Sequence, residues 1–153
     1  LRRVQVSQPA RAIGSVLVLL LLLVVSFSLS ACMTGEAVSA FNRGNEYMKQ
    51  EEYGMAVYEY SVVISINPEY VRAFNNRGIA YTERGNYDEA ISDFTRVLEL
   101  DPQYIAAYNN RGIAHYKKGD VEQAIADFEK TLELTDDPAL RQQAEQALEE
   151  VRP

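Results

Sequence analysis

The six residues at 75–80 read NNRGIA, and the same letters return 34 positions later at 109–114. A looser copy, FNRGNE, stands 34 positions before the first, at 41–46. Self-similarity at a fixed interval of this size means that one supersecondary unit has been copied and stacked. The interval holds beyond the phrase itself. Gly44, Gly78 and Gly112 share it, as do Ala56, Ala90 and Ala124, then Tyr60, Phe94 and Phe128, and finally Pro68 and Pro102.

Within one interval the pattern is helix, break, helix, stop. Phe74, Gly78 and Tyr81 fall on one face at helical spacing. Gly85-Asn86 then interrupts the chain. Ala90, Ile91, Phe94, Val97 and Leu98 form a second apolar stripe. Asp101-Pro102 ends it, because proline restricts the residue before it and cannot continue a helix. This is an αα-hairpin. Its small residues, Gly78 and Ala90, are expected where two helices approach closely. Its large ones, Phe94 and Tyr81, are expected to fill the gaps between hairpins. Glycine inside a helix costs about 0.8–1 kcal/mol in propensity, so packing has to offset it. A single hairpin cannot cover its own stripe, and stacking does.

The interval and these positions together resemble the tetratricopeptide repeat family. The resemblance spans 37–138, about two-thirds of the chain. It implies an all-α, right-handed α-solenoid of three hairpins at 37–70, 71–104 and 105–138. There are departures. Glu51 stands where the other copies have Gly85 and Gly119, which predicts a first turn that depends less on glycine. The third copy has no proline at 136, but Asp137-Pro138 follows, an N-cap and a first helical residue. Residues 139–153 then read as a capping helix with Ala144, Ala147, Leu148 and Val151 turned inward, similar to the extra helix that closes the last repeat in this family.

The first 31 residues are of another kind. They hold Arg2, Arg3 and Arg11, no acidic residue, and the apolar run VLVLLLLLVV at 16–25. A basic start, an apolar stretch and small residues make an export signal. Leu29-Ser30-Ala31-Cys32 resembles the lipobox of bacterial lipoproteins. That resemblance implies cleavage before Cys32, a lipid on its thiol, and a body placed on the extracytoplasmic side of the cell membrane or outer membrane. Met33, rather than Asp, follows the cysteine, similar to the pattern sorted to an outer membrane where one exists. The alternative is a structural subunit of an envelope complex, or a self-assembling scaffold, held by an uncleaved membrane helix, since 12–31 is uncharged and about 20 residues span a bilayer. Residues 33–36 are then a short linker.

All 22 Asp and Glu lie beyond residue 31, which leaves the body acidic. Nucleic acid is therefore an unsuitable partner, because phosphate binding needs clustered Lys and Arg. No phosphate-cradling glycine loop, zinc-ligand spacing or nucleophile–base pair is visible, and the lone His115 sits at the interval of Tyr47 and Tyr81 as a packing residue. An enzyme is not expected, nor any cofactor beyond the lipid on Cys32.

The family resemblance implies a concave groove lined by the first helix of each hairpin. It places Asn42, Asn76 and Asn110 there, one per repeat, together with Phe41, Asn45, Asn75, Ile79, Asn109 and Ile113. An amide offers donors and an acceptor, so such a ladder can hold the backbone of a protein or peptide partner, or simply be an exposed, duplicated residue. Homo-oligomers remain open. Relatives that hold a chaperone's C-terminal carboxylate use Lys, Asn, Asn, Lys and Arg. Asn45 and Asn76 occupy two of those places, but Phe41, Ala106 and Asn110 occupy the cationic three, which argues against carboxylate capture. Finally, Arg43, Arg77 and Arg111 each precede a carboxylate, Glu59, Asp93 or Asp127, by 16 residues, which predicts one ion pair inside each hairpin.

Overall fold

The computed structural model describes residues 34–152. Among them are seven helices and no strand. The helix α1 covers 34–49. It is followed by α2 (Tyr53–Ile66), α3 (Val71–Glu83), α4 (Tyr87–Leu100), α5 (Ile105–Lys118), α6 (Val121–Leu134) and α7 (Pro138–Val151). Residues 34–36 of the expected linker are thus helical. Cys32, its lipobox and the apolar run lie outside the described residues. Among the described residues no helix is long and apolar enough to cross a membrane.

From α2 onward each helix packs on the next, and Ala37, Ala40 and Phe41 of α1 share a core with Ala56, Tyr60 and Val63 of α2. Helix α3 also touches α5, whereas among the described residues α4 does not touch α6. The odd-numbered helices are therefore closer together than the even-numbered ones, and the stack bends with α3 and α5 on its inner side. The expected solenoid of three hairpins and a cap is the observed architecture.

The repeated glycines owe their size to a ring. A Cβ on Gly78 would stand 2.7 Å from Cε1 of Phe94, and the same holds for Gly44 against Tyr60 and Gly112 against Phe128, at 2.6 and 2.8 Å. All three rings are fully buried. The ring expected between hairpins thus lies first against the glycine of its own hairpin. Phe94 reaches the next hairpin as well, through Ala114.

The hairpin turns correct one expectation. Gly85 and Gly119 take φ of +79° and +97°, and Glu51 takes +59°. The first turn has the same left-handed requirement as the others and meets it without a glycine. Packing of α1 on α2 holds the residue there against a steric cost of about 1–2 kcal/mol. Between hairpins, the side chains of Asn67 and Asp101 accept from the backbone N–H two residues on, at 3.0 Å each, and turn the chain into the next helix.

Asp137 caps α7, accepting from Ala139 N–H at 2.9 Å with Pro138 in the first turn. Ala144, Leu148 and Val151 are buried and Ala147 packs beside them against Phe128 and Ala124. Helix α7 thereby closes the apolar end of the third hairpin.

Candidate functional site

The paired asparagines form a chain of amides that joins the three inner helices. Asn110 on α5 donates from Nδ2 to Oδ1 of Asn75 on α3 at 3.2 Å. Asn75 donates to its neighbour Asn76 at 3.2 Å, and Asn76 donates to Oδ1 of Asn45 on α1 at 3.1 Å. The Tyr60 hydroxyl, rising from α2, donates to the same Asn45 oxygen at 2.8 Å. Burial pushes the Tyr60 phenol above its ordinary pKa, which keeps it a donor.

The repeat interval explains both ends of this chain. Position 75 accepts from position 110, the first asparagine of one repeat from the second asparagine of the next. One repeat earlier the acceptor is Phe41, which has no oxygen to offer, so Asn76 turns to Asn45 instead. One repeat later the donor is Ala144, which has no N–H on its side chain. Asn109, 2% exposed, is left with Oδ1 buried and without a hydrogen-bond partner.

The residues expected in the groove therefore separate into layers. Phe41, Asn75 and Asn109 are buried beneath it and cannot touch a ligand directly. Asn45, Asn76 and Asn110 are half-buried on its floor, bonded to one another or to Asn75. Ile79 and Ile113 are half-buried, and Asn42 is exposed outside the amide chain. A shallow pocket of about 60 Å³ opens between α3 and α5, lined by Ile79, Thr82, Glu83, Phe94, Asn110 and Ile113. The groove thus changes character along its length. At α1 the pair across the hairpin is Asn45 with Tyr60, and at α3 and α5 it is Ile79 with Phe94 and Ile113 with Phe128. Tyr116, 40% exposed, extends the apolar end. Arg72 places its guanidinium 5.0 Å over the Phe41 ring, and Lys117 stands 3.8 Å from Glu83 between the inner helices.

Behind the groove the three expected ion pairs form. Arg77 grips Asp93 with two bonds of 2.8 Å, Arg111 grips Asp127 at 2.8 and 2.7 Å, and Arg43 grips Glu59 at 2.9 and 2.7 Å. Sequence reasoning missed a third partner. Arg77 Nη1 also donates to Ser61 of the preceding hairpin at 2.9 Å, and Arg111 to Thr95 at 3.1 Å. The hydroxyls at 61 and 95 share the repeat interval, which was the available signal. Among the described residues no hairpin precedes Arg43, and it bonds Ser39 on its own helix at 3.0 Å. Its side chain is 49% exposed, against 18% for Arg77 and 21% for Arg111. Burial raises the Asp93 carboxyl above the ordinary carboxylate range despite Arg77 beside it. Burial disfavours charge on Arg77 too, but its bonds to Asp93 hold its pKa above normal. These pairs orient helices more than they stabilise them, because desolvation offsets much of the attraction.

His115 is half-buried with Nδ1 3.3 Å from Asp120 Oδ2. Among the described residues no group of three or more His, Cys, Asp or Glu is placed to hold a metal ion.

Comparison with known proteins agrees with this architecture. A family model described as TPR repeat matches residues 44–83 and 78–119, and one described as tetratricopeptide repeat matches 105–135. The second TPR domain of human RPAP3, solved in complex with the HSP70 peptide SGPTIEEVD, is 30% identical with a TM-score of 0.72, over 79% of this chain and 98% of that one. The chain belongs to the tetratricopeptide repeat family. Other similar members are the first TPR of Spaghetti (RPAP3) bound to the HSP90 peptide SRMEEVD and the Arabidopsis OM64 TPR domain. The former is 28% identical with a TM-score of 0.71, over 76% of this chain and 90% of that one. The latter is 26% identical with a TM-score of 0.70, over 76% and 93%. No curated protein matches the chain. The tetratricopeptide fold is a protein-interaction scaffold, and this domain resembles members that hold peptides.

Proposed function

We propose that this tetratricopeptide domain is an adaptor, held at a membrane surface outside the cytoplasm by a lipid on Cys32, that docks another protein in the groove of α1, α3 and α5. One observation carries the docking part: the open pocket of Ile79, Ile113 and Asn110, with exposed Tyr116 about one helical turn beyond Ile113 on α5. It offers an apolar seat next to amide hydrogen-bonding groups, the mixture that holds a side chain and its backbone together. The amide chain beneath keeps that floor rigid, so little ordering is needed on binding. The ligand differs from the chaperone tails held by the similar domains. Phe41 is buried, and Ala106 and Asn110 are uncharged where carboxylate capture needs cations. An internal segment of a partner protein fits this groove. The lipid concentrates the adaptor on one surface, and stable anchoring takes two or more acyl chains.

The test is site-specific crosslinking in living cells of the source. A photoreactive residue in place of Tyr116 is expected to capture a discrete partner protein. The same residue in place of Ala126, exposed on α6, is expected to capture none. Equal capture from both positions would refute the groove. Mass spectrometry of the native protein checks the anchor: a diacylglyceryl adduct on an N-terminal Cys32 supports it, and an intact 1–31 segment refutes it.

A further inference from the structure

The second helices of the three hairpins present the same five positions to the outside with different chemistry. On α4 these are Asp88, Glu89, Ser92, Arg96 and Glu99, and on α6 they are Glu122, Gln123, Ala126, Lys130 and Glu133. On α2 they are Gly54, Met55, Tyr58, Val62 and Ser65. Position by position the exposure agrees: the fourth is half-buried in all three helices and the other four are exposed. Tyr58 is 63% exposed and Met55 44%. The sole charge on α2, Glu59, is buried and held by Arg43. An uncharged stripe on an otherwise covered helix is a face that lacks its neighbour.

We infer that this outer stripe of α2, Met55, Tyr58, Val62 and Ser65, seats against the lipid surface to which the chain is anchored. The inference rests on the anchor reading above. Chain connectivity selects the occupant. Helix α1 is already formed at Thr34, two residues along the chain from Cys32, so an anchor at Cys32 keeps the first hairpin the closest to the bilayer by connectivity. The short turn at 50–52 reverses the chain, so α2 runs antiparallel to α1, with Gly44 against Tyr60. Ser65 therefore lies nearer the anchored end of α1 than Met55 does. From Met55 to Ser65 the stripe runs about 15 Å, lengthwise along the helix. Tyrosine suits the headgroup layer, where its ring is apolar and its hydroxyl is wet. The acidic outer faces of α4 and α6 are repelled by anionic headgroups, and α2 has nothing to repel. A protein partner has no reason to prefer the anchored hairpin. A lipid surface does.

The chain contains no tryptophan, so one can be introduced as a sole reporter. Full chain carrying Y58W, or S92W at the equivalent place on α4, is isolated from cell membranes. It is reconstituted into phosphatidylethanolamine–phosphatidylglycerol vesicles containing brominated acyl chains. Both positions are exposed, and circular dichroism confirms that each variant is folded. Bromolipid is expected to quench Y58W emission severalfold more than S92W, with a blue shift for Y58W alone. Equal quenching on chains whose Cys32 carries lipid overturns the inference and leaves the anchor standing. Protection of Y58W from aqueous acrylamide without bromolipid quenching also overturns it, because protein then covers the stripe. A chain absent from the membrane fraction overturns both readings.

Discussion

Replacing Gly78 by alanine separates two opposing contributions of known size. Glycine to alanine within a helix gains about 1 kcal/mol from propensity alone. At position 78 the added methyl stands 2.7 Å from Cε1 and 2.9 Å from Cζ of Phe94, where ordinary contact begins near 3.4 Å. The ring or the helix must shift by roughly 0.7 Å, and a fully buried ring has no empty space to move into. Overpacking of this kind costs about 1–3 kcal/mol. The net expectation is a loss of up to about 2 kcal/mol. Gly54 is the control, because nothing lies within 4 Å of a Cβ built there. Gly54→Ala is expected to raise stability by up to about 1 kcal/mol. Thermal unfolding followed by circular dichroism reads the difference, at about 4 °C per kcal/mol for a domain of this size. Removing the ring atoms with Phe94→Leu is expected to make the Gly78→Ala step favourable in the double variant. The reasoning fails if Gly78→Ala raises the melting temperature as much as Gly54→Ala does.

Two further outcomes follow from the turn and the amide chain. Glu51→Gly relieves a left-handed residue at φ +59° and loses some backbone entropy, for a net gain of up to about 1 kcal/mol. A lowered melting temperature would show that the first turn is unstrained. Asn75→Ala removes two side-chain hydrogen bonds and Asn109→Ala removes an amide whose oxygen has no partner. In urea titrations Asn75→Ala is therefore expected to cost about 1 kcal/mol more, and equal midpoints would refute the amide chain.

Much of this architecture is legible because copies can be compared. An arginine and a carboxylate stand 16 residues apart in every unit, so a single contact explains three pairs at once. The cap at Asp137 is legible because aspartate before proline has few other uses. The asparagines were harder. Positions 75 and 76 straddle the boundary between groove and interior, and helical periodicity cannot say which of two adjacent amides turns inward. Only the interhelical distance decides it, and that depends on the whole stack. Asn45 and Tyr60 were hidden for a related reason. They depart from the repeat together, replacing Ile79 with Phe94 and Ile113 with Phe128, and a paired departure is visible only once the two side chains are known to touch. The turn at Glu51 misled because propensity is weak beside packing.

At Asn109 the amide pattern stops midway. The third hairpin still presents the acceptor that an additional copy would use, and the alanine at 144 leaves it unanswered. That hairpin is chemically an interior unit wearing a lid. A gene duplication inserted ahead of that lid would meet a surface already prepared for it, so the array can change length without redesigning its joints.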